Sequence, residues 1–131
     1  MTSKMFGATL LLLSGLTSIA HAASAGPAES ASAIVNYREY TTSFASSGQL
    51  AGHHLEALKK QGFQRIVYLA YRAHGNASDT LSIDQQATDL GLSYVHIPVP
   101  WQSPSQSDYQ TFAAVMRAQP AMKTLLHCQM N

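Results

Sequence analysis

The residues of this chain that could do chemistry gather near its C-terminal end. Cys128 is the single cysteine of the sequence and follows an apolar segment at residues 123–127. Such a segment predicts a short buried strand, and ligands bind at the carboxyl ends of parallel strands in open α/β sheets. Cys128 is therefore either a candidate nucleophile or a small buried hydrophobe at a strand end. A single cysteine excludes an intramolecular disulfide and a cysteine-based zinc site.

The histidines do not show the spacing of a metal site. His53 and His54 are neighbours on a predicted helix and cannot approach one ion from the same face, so we expect them on a solvated surface. His74 and His96 have no ligand partner at a suitable interval. The sequence therefore predicts no metal ion and no cofactor.

The elements that must position Cys128 follow from the hydrophobic pattern. Strands are predicted at residues 65–71, 93–99 and 123–127. Helices are predicted at residues 48–61, from 82 to a stop at Gly91, and from 105 to Pro120. A loop is predicted at residues 73–80. Strands that alternate with helices at this spacing indicate an α/β fold with a mostly parallel central sheet.

Two of the predicted helices begin with a capping-box pattern. Ser82 precedes Gln85, and Ser105 precedes Asp108, by three residues. In the last helix the apolar residues recur at i, i+3, i+4 and i+7, which predicts one face directed at the core. These residues are Tyr109, Phe112, Ala113 and Met116.

From about Phe44 to its end, the chain resembles the small tyrosine and dual-specificity phosphatase-like domains of bacteria. The most specific resemblance is the block Gly-Leu-Ser-Tyr-Val-His-Ile-Pro-Val at residues 91–99, followed by His127-Cys128. Weaker matches are Ser-Gly-Gln-Leu at 47–50 and Leu-Lys-Lys-Gln-Gly-Phe at 58–63. The resemblance implies a three-layer phosphatase-like fold, incomplete at its C-terminus.

The resemblance also implies a role for the residues around the cysteine. In the family, His-Cys opens a phosphate-binding loop that ends in an Arg after four or five further residues. The loop amides hold the phosphate oxygens and favour the thiolate, which attacks phosphorus. Here the loop corresponds to His127, Cys128, Gln129, Met130 and Asn131, and His127 is expected to orient it. The implied partner is a phosphorylated substrate.

Two features depart from the family pattern. The sequence has three residues after Cys128 and no Arg among them, so we expect this chain to be an inactive fragment of a phosphatase-like hydrolase. The family places an Asp general acid after the Ile-Pro-Val strand, whereas residues 100–104 (Pro-Trp-Gln-Ser-Pro) contain no carboxylate. Asp108 is the nearest downstream candidate for the acid and is also a predicted helix-cap residue. Trp101 is expected to cover the sheet edge.

Two alternatives from other functional classes stay open. A sulfurtransferase of the rhodanese type also places a thiolate in a loop after a parallel strand, where it carries a persulfide. A non-catalytic module that binds a phosphorylated ligand would keep the fold without the acid and the Arg. The carboxylate-free loop after the Ile-Pro-Val strand favours the second alternative.

The N-terminal residues predict an exported protein. Residues 1–22 combine Lys4, an apolar run and the sequence Ala-His-Ala, which is the pattern of a cleaved secretory signal. Residues 23–43 are predicted as a flexible leader, and residues 44–131 as the truncated phosphatase-like domain. We therefore expect a periplasmic or secreted protein without stable membrane insertion after cleavage.

The net charge of the chain limits the kinds of partner that it is expected to bind. Residues 23–131 hold 7 basic residues (8 − 1, since Lys4 is removed) and 7 acidic residues. A chain with no net charge is not expected to bind nucleic acid.

Overall fold

The structure is a computed structural model that describes residues 30–71 and 82–129. Its centre is a five-stranded sheet in the order β1-β2-β5-β3-β4. The strands are β1 (Arg38–Thr41), β2 (Phe44–Ser47), β3 (Arg65–Ala70), β4 (Ser93–Val99) and β5 (Thr124–His127). β1 pairs with β2 antiparallel, and every other pairing is parallel. The predicted α/β fold with a mostly parallel sheet is confirmed.

Three α-helices connect the strands: α1 (Leu55–Lys60), α2 (Ile83–Asp89) and α3 (Gln106–Ala118). The helix predicted at 48–61 is shorter, because residues 48–51 are not helical and Gly52–His54 forms a 3-10 turn. The strand predicted at 93–99 has the bounds of β4, and the strand predicted at 65–71 ends one residue earlier. The loop predicted at 73–80 lies outside the described residues.

The helices lie on both faces of the sheet. Ile66 and Leu125 are register partners and belong to the buried cluster that includes α1 and α2 side chains. Their neighbours in sequence, Arg65 and Thr124, project from the opposite face, where Arg65 hydrogen-bonds Val115 of α3. This alternation gives three layers with β5 at the centre.

The structure describes residues 30–43, which belong to the segment predicted as a flexible leader, and they carry secondary structure. Ala31–Ala33 forms a 3-10 turn that places Ala31 and Ile34 in the core. β1 then extends the sheet beyond β2. Residues 23–29 lie outside the described part of the chain.

Of the two predicted capping boxes, the one at α3 forms and the one at α2 does not. At α3, Ser105 and Asp108 exchange the hydrogen bonds of a capping box. At α2 the helix forms as predicted, but the Ser82 side chain makes no cap hydrogen bond. The predicted apolar face of α3 is only half-buried at Phe112, Ala113 and Met116, and Tyr109 is 63% exposed.

Candidate active site at the carboxyl end of the sheet

Cys128 directly follows the central strand of the sheet. β5 lies between β2 and β3, both parallel to it, so three carboxyl ends meet at the edge that Cys128 occupies. The Cys128 amide donates to the Ser47 carbonyl at 3.4 Å, which continues the β2–β5 pairing by one residue. The thiol residue is half-buried. The position agrees with the edge at which α/β sheets bind ligands.

The residue before the cysteine is buried among aromatic rings. His127 is 1% exposed and is the last residue of β5. Its ring stacks on Tyr68 of β3, with centroids 4.6 Å apart and planes 24° apart, and meets the Tyr94 ring edge-on at 6.4 Å. Packing on two sides fixes the direction in which the chain enters Cys128. This geometry fits the positioning role expected of His127.

The strand register places a row of polar side chains on one face of the sheet. Ser47, His127, Tyr68 and His96 are successive register partners across β2, β5, β3 and β4. The Tyr68 and His96 rings lie 5.0 Å apart, and His96 Nε2 donates to the Ala70 carbonyl at 2.7 Å. Tyr68 belongs to the strand predicted at residues 65–71 and is 1% exposed. Its place beside the candidate nucleophile was missed, because periodicity cannot reveal a neighbour in another strand.

Residues that follow β5 influence the pKa of the Tyr68 hydroxyl. Burial raises the pKa of Tyr68, a hydrogen bond with the Gln129 side chain opposes the rise, and the negative charge of a Cys128 thiolate adds to it. Tyr94 also has a raised pKa, first because of burial and then because of Tyr68 and Asp84. Both hydroxyls are therefore neutral near pH 7 and can donate hydrogen bonds.

Asp108 is occupied by the helix cap. Its Oδ2 accepts from the Ser105 amide at 2.7 Å and from Ser105 Oγ at 2.8 Å, and its own amide donates to Ser105 Oγ at 3.2 Å. These bonds begin α3 and hold the carboxylate at the helix start. Its use as a general acid stays a prediction.

The segment after β4 is exposed rather than packed. Trp101 is 79% exposed, so the expectation that it covers the sheet edge is wrong. The amide of Ser103 donates to the Pro100 carbonyl at 3.2 Å and closes a turn that directs the Trp101 ring into solvent. Tyr71, directly after β3, is 63% exposed.

The rest of the predicted phosphate-binding loop is only partly described. Gln129 is an exposed bend residue, whereas Met130 and Asn131 lie outside the described residues. Within residues 30–71 and 82–129, no group of three His, Cys, Asp or Glu side chains could hold a metal ion. In the same residues no helix has the length and apolar character needed to cross a membrane.

The fold is that of the solved tyrosine and dual-specificity phosphatase-like structures that match this chain. No protein-family model matches the chain, and no curated protein matches it. Solved structures match with a probability of 1.00. One is a candidate phosphatase (DUF442) from Shewanella putrefaciens CN-32, which is 27% identical with a TM-score of 0.65; the match covers 76% of this chain and 65% of that protein.

Two more distant structures share the fold. The core catalytic domain of the PP-IP phosphatase SIW14 from S. cerevisiae, in complex with citrate, has a TM-score of 0.58 and 12% identity, over 74% of this chain and 57% of that domain. A cysteine-to-serine variant of TpbA from P. aeruginosa, in complex with phosphotyrosine, has a TM-score of 0.56 and 9% identity, over 72% of this chain and 54% of TpbA. The match therefore spans less than two thirds of the length of each of these proteins.

Proposed function

We propose that the protein is a cysteine-dependent phosphatase-like hydrolase that acts on phosphate monoesters, with Cys128 as the nucleophile. The observation that carries this proposal is the half-buried thiol at the carboxyl end of the central parallel strand, in a fold shared with solved phosphatases. His127, held between Tyr68 and Tyr94, positions the thiol. The substrate is a phosphorylated molecule, by analogy with the phosphotyrosine complex of TpbA.

The proposed reaction proceeds in two displacements. The Cys128 thiolate attacks phosphorus, the S–P bond forms, and the bond from phosphorus to the ester oxygen breaks. The leaving oxygen takes a proton from a general acid, for which Asp108 is the candidate. Water then attacks the phosphocysteine, releasing inorganic phosphate and the thiolate. No cofactor takes part in this scheme.

A polypeptide of residues 23–131, tested alone, is expected to be inactive in this reaction. The three residues after Cys128 are Gln129, Met130 and Asn131, none of which supplies a guanidinium to the transition state. Loss of one donor from a preorganised oxyanion site costs on the order of 10²–10³ in rate. We expect p-nitrophenyl phosphate turnover by residues 23–131 to equal that of the Cys128→Ser variant. Turnover that depends on Cys128 would show that the reaction does not require an Arg after the cysteine.

Anion binding at Cys128 can be tested without turnover, because the chain has one cysteine and alkylation by iodoacetamide reports on that thiol alone. We expect phosphate or vanadate to slow the alkylation, whereas chloride at equal ionic strength does not. Alkylation that neither oxyanion slows would contradict the proposed phosphate site.

A second candidate function is a non-catalytic module that binds phosphorylated ligands. It is favoured by the absence of a carboxylate at residues 100–104 and by the commitment of Asp108 to the α3 cap. Oxyanion protection of Cys128, without turnover even when an Arg-bearing loop is appended after Asn131, would favour this function. Thiocyanate formation from thiosulfate and cyanide would instead favour a sulfurtransferase.

We further propose that the protein is exported and acts in the periplasm or outside the cell. The proposal rests on residues 1–22, whose charge, apolar run and Ala-His-Ala sequence match a secretory signal. The lone cysteine is compatible with an oxidising compartment, because it has no second cysteine in the chain with which to pair.

A further inference from the structure

Tyr68 contacts the chain on both sides of the candidate nucleophile. Its ring stacks on that of His127, the residue before Cys128, with centroids 4.6 Å apart and planes 24° apart. Its hydroxyl interacts with the side chain of Gln129, the residue after Cys128, through a hydrogen bond that favours the phenolate form. Because Tyr68 belongs to β3, one side chain of a neighbouring strand reaches the two residues that flank the thiol.

Tyr68 is itself held in place. It is buried, and its second ring neighbour is His96 of β4, with centroids 5.0 Å apart. The His96 ring is anchored in turn, because its Nε2 donates to the Ala70 carbonyl at 2.7 Å. The strand register thus gives a series of three contacting rings, from His96 through Tyr68 to His127. Aromatic contacts stabilise beyond the area that they bury, so the Tyr68 ring cannot turn without losing contacts with both histidines.

The backbone alone holds Cys128 weakly. β5 ends at His127, and the bond that extends the β2–β5 pairing past it, from the Cys128 amide to the Ser47 carbonyl, is 3.4 Å long. Backbone hydrogen bonds are usually about 2.7–3.2 Å long. A nucleophile that is misplaced by about 1 Å can lose on the order of 10²-fold in rate. Side-chain contacts therefore have to hold the thiol where the strand pairing weakens, and Tyr68 supplies them on both sides.

We propose that Tyr68 is a positioning residue for the Cys128 thiol, which it holds through the ring of His127 on one side and the side chain of Gln129 on the other. The inference rests on the proposed function for the role of the thiol. Tyr68 has no contact with the substrate in this scheme and takes no part in proton transfer.

The test uses two readouts on the full 131-residue chain, whose single cysteine makes iodoacetamide alkylation report on Cys128 alone. The first readout is the alkylation rate without any oxyanion, which measures how firmly the thiol is held away from the reagent. The second is the vanadate concentration that halves this rate, which measures whether the thiol is placed to meet an oxyanion. The urea midpoint of each variant establishes that it is folded under the conditions of the assay.

Tyr68→Phe keeps the ring and removes the hydroxyl. We expect the alkylation rate and the half-protecting vanadate concentration each to rise about fivefold, the factor that corresponds to the net stabilisation from one hydrogen bond. Gln129→Ala removes the other partner of the same contact at an exposed position and should have the same effect. The double variant should match either single variant, because two changes that remove one contact are not additive.

Tyr68→Leu removes the ring as well, and both readouts should rise by a further factor of about five. The matched control for the ring is Phe63→Leu, which removes a buried aromatic side chain before β3, at the opposite end of the sheet from Cys128. The control for the hydroxyl is Tyr40→Phe on β1, where the hydroxyl lies 3.3 Å from Ser46 Oγ. Both controls should give the readouts of the unmodified chain.

Readouts in Tyr68→Phe and Tyr68→Leu that equal those of the unmodified chain, or an additive double variant, would overturn the proposal. A change in Phe63→Leu as large as that in Tyr68→Leu would do so too, because the effect would then come from a general loss of packing. The proposed function fails separately, when vanadate does not protect the unmodified chain. In that case the alkylation rates without oxyanion still establish whether Tyr68 and Gln129 hold the thiol. Vanadate protection that neither Tyr68 variant alters would leave the proposed function and remove the positioning role.

Discussion

Arg65 is the residue that carries a positive charge into the interior, since it is 2% exposed. Its Nε donates to Thr124 Oγ1 at 3.0 Å and its Nη1 to the Val115 carbonyl at 2.7 Å, near the C-terminus of α3. A cation is favourable there because the helix dipole is negative at that end. Burial lowers the pKa of Arg65, but a guanidinium stays protonated near pH 7. Arg65 thus connects β3, β5 and α3.

Replacing Arg65 tests this role. Arg65→Met should lower the free energy of unfolding by about 2 kcal/mol, because the three hydrogen bonds of the guanidinium are lost, including one from Nη2 to Met116 Sδ at 3.3 Å. The measurement is the urea midpoint at an unchanged m-value. Arg38→Met, on exposed β1, should stay within about 0.5 kcal/mol. A similarly small effect at Arg65 would mean that the free-energy cost of desolvating the guanidinium equals the stabilisation from its hydrogen bonds.

At the scale of single residues, the sequence predicts where a residue lies along a strand or helix better than it predicts which side chains surround it. Cys128 is predicted to follow a short buried strand, and it does, because an apolar run followed by a polar residue marks a strand end. The neighbours of Cys128 in space could not be predicted. Tyr68 reaches it only through the pairing of β3 with β5, which joins residues 59 positions apart. Trp101 was misjudged because an aromatic type gives no information on whether a turn directs it outward.

Among the elements, α1 and α2 end in the same way. Each is followed by a glycine with positive φ, Gly62 at 83° and Gly91 at 71°. Gly91 N donates to the Thr88 carbonyl at 2.8 Å and Leu92 N to the Ala87 carbonyl at 2.9 Å, which is a Schellman motif. Leu92 is buried, so the motif both ends α2 and directs the chain into β4.

Substitution at Gly91 measures how much the Schellman motif at the end of α2 contributes to the free energy of unfolding. Gly91→Ala should destabilise the protein by about 1 kcal/mol, because a side chain in the left-handed region is strained. Space does not limit the substitution, since an added Cβ would meet only Lys59 Nζ, at 3.6 Å. Gly91→Asn is the matched control and should cost less, because Asn tolerates this conformation. Equal urea midpoints for the unmodified chain and both variants would contradict the argument.

The elements after Gly48 were largely predictable, and those before it were not. β4 and α3 have clear apolar periods, caps and stops, so their bounds follow from local rules. β1 has the sequence Arg-Glu-Tyr-Thr with every residue exposed, so it has no apolar pattern to find. It forms because β2 offers a free edge for antiparallel pairing. That information lies in the tertiary structure.

At the scale of the whole molecule, one end of the sheet has two distinct chemical environments. The Cys128 thiol is expected to meet an anion, whereas a cavity between α2 and the sheet is lined by the side chains of Asp84 and Asp89. Strand order brings the two environments together through β3, the neighbour of both β5 and β4.

Export is the prediction that concerns the molecule as a whole. A reporter fused after Ala33 should accumulate outside the cytoplasm, with processing near Ala22, because residues 1–22 combine a positive start, an apolar run and small residues at the cleavage site. Fractionation and N-terminal sequencing of the reporter provide the measurement. Leu12→Arg should abolish export by placing a charge in the apolar run, whereas Ala20→Lys should permit targeting and block cleavage. Retention of the full-size fusion in the cytoplasm would contradict the predicted signal, and the site would then work in a reducing compartment.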